Sequence, residues 1–406
     1  MRLARTGREP QRARFPPHGR PGGLRRSRLP RRERLQGGVL RRLPVFPLPG
    51  HLAPPSYGYQ RRPQPDRRPA VRGRGDAGLR RGQAGTLRGQ PVPAVDGRHA
   101  LVTKGAAGRD VALISVSIDL GAGRRGVDMG PSALRIAGIT GAIEAAGHRV
   151  CELGTITAGG LETTDAGETR MRFLAEIVKV VDRTRELVRT GLSRNCLPLV
   201  LGGDHSLSMG SVAAVADHCR QRGERIGVIW VDAHADMNRP ATSPSGNVHG
   251  MPLAVLLGHG DPRLVGAGAS VAPGNVSVLG ARELDVGEKR LIGELGVRVF
   301  SMSEIDERGA AACMDEALER ANDGTCGFHL SLDLDALDPR VAPGVGTPVQ
   351  GGLTYREGHL VCEKASRSGR LLSMEVVELN PVLDDRNHTA DLAVELVASA
   401  LGKTIL

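Results

Sequence analysis

The chain has 406 residues, with 55 Lys+Arg against 44 Asp+Glu, 26 Pro, six Cys and one Trp, a length suited to one large domain or two ordinary ones. It holds no run of 18 apolar residues, which excludes a transmembrane helix, and no charged n-region, apolar h-region and small-residue cleavage site opens it, which argues against a secretory signal. Cys151, Cys196, Cys219, Cys313, Cys326 and Cys362 are scattered without a CxxC pair, usage that fits reduced thiols in a cytoplasmic protein better than a disulfide framework.

The net charge of +11 is the sum of two unlike segments. Residues 1–109 carry 26 basic and 5 acidic residues and fifteen of the prolines, and Lys104 is their only lysine. Residues 110–406 carry 29 basic and 39 acidic residues. Frequent Pro removes helical hydrogen bonds and like charges repel, so 1–109 is expected to be a disordered Arg/Pro-rich extension. A start codon assigned too far upstream in a GC-rich gene gives the same composition. Clustered Arg also suits phosphate binding, and an Arg-rich, acid-poor segment suits a transit peptide. Only Phe15, Phe46, Tyr57 and Tyr59 interleave the arginines, however, and the prolines spoil an amphipathic helix. The acidic remainder would repel nucleic acid.

From Asp110 onward, apolar runs alternate with amphipathic segments. Predicted strands are Val111–Val116, Leu197–Leu201, Ile226–Val231, Val276–Leu279, Val297–Phe300, Gly327–Leu332 and Leu371–Val376. Predicted helices are Pro131–Ala146, Glu168–Thr190, Ser206–Cys219, Gly287–Leu295, Ala310–Ala321, Tyr355–Ala365 and Thr389–Leu401. The strand runs do not alternate polar with apolar, which points to strands buried on both faces. The fold class that follows is three-layer α/β/α around a central, mostly parallel sheet, with 110–406 as one catalytic domain. Ligands in such sheets gather at the carboxyl ends of strands.

Four polar motifs directly follow predicted strands: Gly202–Ser206 (GGDHS), Asp232–Asp236 (DAHAD), Ser331–Asp335 (SLDLD) and Glu375–Asn380 (EVVELN). A lone His or Asp after a strand is usually structural or a helix cap. The joint pattern is different. Asp232, His234 and Asp236 sit at i, i+2 and i+4, which in an extended segment faces them one way, and Asp333 and Asp335 repeat the i, i+2 spacing. With His205 they make a set of four Asp and two His, too much buried charge to go without a shared cation. Carboxylate with imidazole suits Mn²⁺ better than Mg²⁺, and six ligands suit two ions bridged by aspartates, an arrangement that activates water.

With these motifs the sequence resembles the ureohydrolase superfamily, and within it the arginases of the bacterial type. The resemblance runs from about Val111 to the C-terminus and covers Arg125–Ser132 (RGVDMGPS), GGDHS, DAHAD, Gly246–Gly250 (GNVHG), Ser331–Pro339 (SLDLDALDP), Gly346–Glu357 (GTPVQGGLTYRE) and Val377–Pro381 (VELNP). Nothing in 1–109 takes part. The resemblance implies two Mn²⁺ per subunit, one held by His205, Asp232, Asp236 and Asp333, the other by His234, Asp232, Asp333 and Asp335, with a bridging hydroxide attacking L-arginine to give L-ornithine and urea. It implies that Glu378 holds the guanidinium, that His249 shuttles the proton to the leaving amine, and that Asp236 belongs with these catalytic groups.

The resemblance also distributes the substrate contacts. Asn238 and Ser245 match positions that bind the α-carboxylate, the substrate position Ser243 keeps a hydroxyl where some relatives carry Thr, Asp285 matches the α-amino ligand with Glu288 in support, and Asn247 and Thr347 match further substrate positions. Agmatinases share the metal motifs but generally lack the Asn238 and Ser245 pair, so another guanidino substrate is the competing expectation. Ala336 departs from the family, standing where many relatives have Gly; a positive φ there would strain the loop beside Asp335. A homo-oligomer, trimer or hexamer, is implied as well.

Overall fold

The computed structural model describes residues 108–404, and the expectations for the Arg/Pro-rich segment lie outside the described residues except at its last two positions. Eight strands form one sheet: β1 (Asp110–Ser117), β2 (Arg149–Thr157), β3 (Leu197–Leu201), β4 (Gly227–Val231), β5 (Val276–Ala281), β6 (Arg298–Ser301), β7 (Phe328–Asp333) and β8 (Leu371–Val377). Every pairing is parallel, in the order β2-β1-β3-β8-β7-β4-β5-β6. The expected "mostly parallel" sheet is therefore entirely so.

Alternate side chains along each strand enter two separate cores. Val111, Leu199, Ile229 and Leu330 pack on one face against α1 (Gly130–Ile136), α2 (Ile139–Ala145), α8 (Met302–Arg308), α9 (Ala310–Asn322), α10 (Tyr355–Arg367) and α11 (His388–Ala400). Ile114, Val200, Val228 and Trp230 pack on the other face against α3 (Leu174–Ser193), α4 (Ser208–Arg220), α5 (Pro252–Leu256) and α7 (Val286–Leu295). A short α6 (Pro262–Val265) follows α5. A strand buried on both faces needs apolar residues at consecutive positions, which is why the runs did not alternate.

Three expectations need correction. The helix placed at Pro131–Ala146 is two helices, because Gly138 takes a left-handed φ of 87° between them. The helix placed at Glu168–Thr190 begins only at Leu174, after Phe173 with a φ of 58°. Strand β2 and helices α5, α6 and α8 were not anticipated. By contrast, Ala336 is not among the positive-φ residues; it ends a single 3₁₀ turn at Leu334–Ala336, so the departure from Gly strains nothing.

Candidate functional site

The strands that carry the polar motifs, β3, β8, β7 and β4, are dispersed in sequence but contiguous at the centre of the sheet. Their carboxyl ends deliver His205, Glu378, Asp333 with Asp335, and Asp232 to one place. The expectation that an extended chain aligns Asp232, His234 and Asp236 is only half right. The chain leaves β4 at Val231, and Asp236 is reached through a left-handed φ of 52°. Asp335 likewise sits in the 3₁₀ turn after β7. Glu378 has a φ of 65°. Non-glycine residues rarely hold this conformation, and where they do the surroundings enforce it.

The centre is a knot of imidazole and carboxylate. His205 Nδ1 lies 3.2 Å from Asp232, 3.0 Å from Asp236 and 3.1 Å from Asp333, and hydrogen-bond geometry leaves that nitrogen without a partner. His234 Nδ1 lies 3.1 Å from Asp335 and 3.4 Å from Asp232. Two ligand-grade groups result, His205–Asp232–Asp333 and Asp232–His234–Asp335, with Asp232 common to both. Asp236 stands beside His205 outside these triplets. Asp333 belongs to the first triplet and touches the second by accepting the Asp335 N–H at 2.8 Å. Burial opposes charge on His205, yet its carboxylate neighbours raise its pKa well above the ordinary value. Burial, then the charges of Asp335 and Asp232, push Asp333 far up. So many buried carboxylates call for more positive charge than the protein supplies, and their hard oxygens with two imidazoles fit a divalent transition-metal pair.

Residues to which the sequence assigned no role set these groups. Trp230 stacks on His205 with ring centroids 4.1 Å apart and donates from Nε1 to Asp232 at 2.9 Å. His205 Nε2 meets Ser331 Oγ at 2.7 Å, and Ser331 donates to Glu375 at 2.7 Å. Glu375 is also bonded by Ser211 and lies 3.3 Å from His329. Burial would raise the Glu375 carboxyl, but His329 and its other partners bring it down to about 2. Asp204 accepts from the N–H groups of Gly121 and Ser206 and so fixes the loop that presents His205. The signal for Ser331 was present in the sequence: it shares the i, i+2 register with Asp333.

A cleft of about 540 Å³, including its open mouth, rises from this floor. His234, Asp236, Asp333, Asp335 and Thr347 line it beside the two triplets; Asn238, Ser243, Ser245, Asn247, His249, Asp285 and Glu288 line the remainder. Glu378 lies just beneath, fully buried, accepting from His249 Nδ1 at 2.8 Å and from the His205 backbone N–H at 3.0 Å, while its Oε2 has no partner. Burial works against a charged His249, but Glu378 and nearby aspartates raise it to about 9. Thr347 donates to Asp335 at 2.9 Å.

The far end of the cleft is organised by the start of α7. Asp285 caps that helix in a reciprocal box with Glu288, and Asn238 donates to Asp285 at 2.8 Å. Glu288 also accepts the Met237 N–H at 3.0 Å, and burial pushes its carboxyl up to about 7. Ser243 accepts from Gly246 and Ser245 from Asn247, at 3.0 and 3.2 Å. Gly246 has a φ of 70°, and a Cβ there would come 2.1 Å from the Thr169 carbonyl oxygen, so this turn requires glycine.

A hydrolase of the ureohydrolase superfamily, built on a three-layer α/β/α fold, is the class that this fold and this site define. The model of the arginase family matches residues 109–402. The arginase of Bacillus caldovelox is 46% identical over 302 residues, 73% of this chain and 100% of its own length, and its crystal structure superposes with a TM-score of 0.71 over the same shares. An Entamoeba histolytica arginase solved in complex with L-ornithine is 31% identical, with a TM-score of 0.68 over 73% of this chain and all of its own. The chain belongs to the arginase family.

Proposed function

We propose that this protein hydrolyses L-arginine to L-ornithine and urea with two manganese ions, held by His205, Asp232, Asp236 and Asp333 on one side and by His234, Asp232, Asp333 and Asp335 on the other. The observation that carries the reading is the pair of His/Asp triplets sharing Asp232 on the floor of a polar cleft. Bound there, the ions supply an acidified water and positive charge for the tetrahedral centre. Its relatives are named arginases, and the amoebal one was solved with L-ornithine.

The chain's own groups do the rest. A guanidinium is a resonance-shielded electrophile and has to be held in line with its nucleophile. Glu378, whose Oε2 is buried and unpartnered, accepts its N–H groups in charge-assisted bonds. The same carboxylate fixes His249 through Nδ1, leaving Nε2 as the atom that gives a proton to the departing amine. Asn238, Ser243, Ser245 and Asn247 offer neutral donors to the α-carboxylate, Asp285 pairs with the α-ammonium, Glu288 holds Asp285 in place, and Thr347 steadies Asp335. A substrate panel tests this reading. With manganese, urea is expected from L-arginine far faster than from agmatine; efficient release from agmatine alone would overturn the substrate assignment. Assembly as a trimer or hexamer completes the reading, and light scattering on the eluted protein measures it. Among the described residues no helix is long and apolar enough to cross a membrane, in keeping with a proposed cytoplasmic location.

A further inference from the structure

At the opposite end of the sheet from the cleft, fold and backbone bring two cysteines together. Cys219 lies in the last turn of α4, and Cys326 lies two residues before β7. They are 107 positions apart, yet their sulfurs are 2.9 Å from each other, inside the van der Waals contact of two sulfur atoms. Main-chain bonds hold the approach. Cys326 donates its N–H to the Arg225 carbonyl at 2.8 Å, Gly227 donates to Gly327 at 2.9 Å, and the turn after α4 closes on the Cys219 carbonyl through Arg222 and Glu224 at 2.9 and 3.0 Å. Two thiol sulfurs held in contact by their backbones need only a small further approach to bond. Cys219 is buried and Cys326 half-buried, so Cys326 is the more accessible of the two residues.

We propose that Cys219 and Cys326 form a modification site that reacts with low-molecular-weight disulfides of the glutathione type and closes to an intramolecular cross-link. Cys326, as thiolate, attacks one sulfur of the external disulfide; that S–S bond breaks, and the first small thiolate leaves and takes up a proton. Cys219 then loses its proton to solvent and attacks the Cys326 sulfur, expelling the second small thiolate. Two protein thiols are oxidised to one disulfide, and one external disulfide is reduced to two thiols. The electrostatics favour this order. The shared hydrogen bond lowers the Cys326 thiol below its ordinary value despite burial, while the same bond and burial push Cys219 up. The attacking sulfur is therefore the accessible one.

The bond would close a loop between residues 107 positions apart, and longer loops constrain the unfolded chain more. It ties the end of α4, whose start follows His205, to the entry of β7, whose exit carries Asp333. The metal ligands themselves stay at the far end of β7, roughly 20 Å away at 3.3 Å per residue. The experiment uses the full chain, reduced and then incubated with glutathione disulfide under native conditions, followed by alkylation, intact mass and non-reducing peptide mapping. Two thiols are expected to disappear together, with the Cys219 and Cys326 peptides linked, and dithiothreitol to restore them. The apparent melting temperature is expected to rise by about 5 °C, a gain absent in Cys326→Ser. Persistence of all thiols, a glutathione adduct that stops at Cys326, closure of Cys151 with Cys196 instead, or masking of the pair by a chelatable metal ion shared with Glu224 would each overturn the proposal.

Discussion

The two ends of the cleft are built by different means. At the floor, the polar groups issue from the ends of four adjacent central strands, and His205, Asp232, Asp333, Asp335 and Glu378 are almost wholly buried. At the mouth, Ser245 and Asp285 are exposed and belong to a turn-rich loop and a helix start. Strand ends locked into the sheet hold reacting groups to a fixed geometry; loops and helix caps set which molecule lies across them and are freer to vary. The contrast separates chemistry from selectivity and predicts that substitutions at the two ends will fail in different ways.

The largest effect is expected at the residue common to both triplets. Asp232→Asn leaves the shape of the side chain but removes a buried charge; by the ~3–5 kcal/mol typical of broken buried pairs, urea release should fall roughly 10³-fold, with manganese content reduced in the same sample. Next comes the carboxylate that never touches the cleft. Glu375→Gln should loosen Ser331 and with it the tilt of His205, weakening manganese binding about 10- to 100-fold, as for other groups that orient a ligating His; competition with a fluorescent chelator measures it. At the mouth, Asn238→Ala should raise KM for L-arginine about tenfold, equal to a lost hydrogen bond of ~1.4 kcal/mol, with kcat little changed. A comparable fall in kcat would erase the distinction between the two ends. The smallest effect belongs to Thr354, which caps α10 in a reciprocal box with Glu357. Thr354→Ala should cost about 1 kcal/mol of stability, read by urea denaturation, without altering either kinetic constant.

Much of this was legible in the sequence, for identifiable reasons. Central strands buried on both faces announce themselves as apolar runs, and all six of them, with the short edge strand β6, were expected close to where they lie. Strand β2 was invisible because most of it is exposed, so Arg149, Glu152 and Gly154 interrupt any apolar run. Helix α8 is a single short element whose Ser301 cap resembles any loop serine. Within the site, every ligand residue falls in a motif, but Trp230 lies inside an apolar strand and Glu375 opens its motif without a visible role, and only partners from elsewhere in the chain explain them. The break at Asp236 was hidden for a related reason: i, i+2, i+4 spacing aligns side chains only while the chain stays extended. Cys219 and Cys326, separated by 107 positions, meet only because α4 ends beside the entry to β7, a relation that no spacing rule contains.

The most direct test counts ions. Full-length protein, stripped by chelation, reloaded with manganese by equilibrium dialysis and assayed by mass spectrometry of the metal, should retain two ions per chain and regain arginine hydrolysis in step with them. Retention of a single ion, or arginine hydrolysis undiminished after exhaustive chelation, would contradict a paired metal centre built on Asp232.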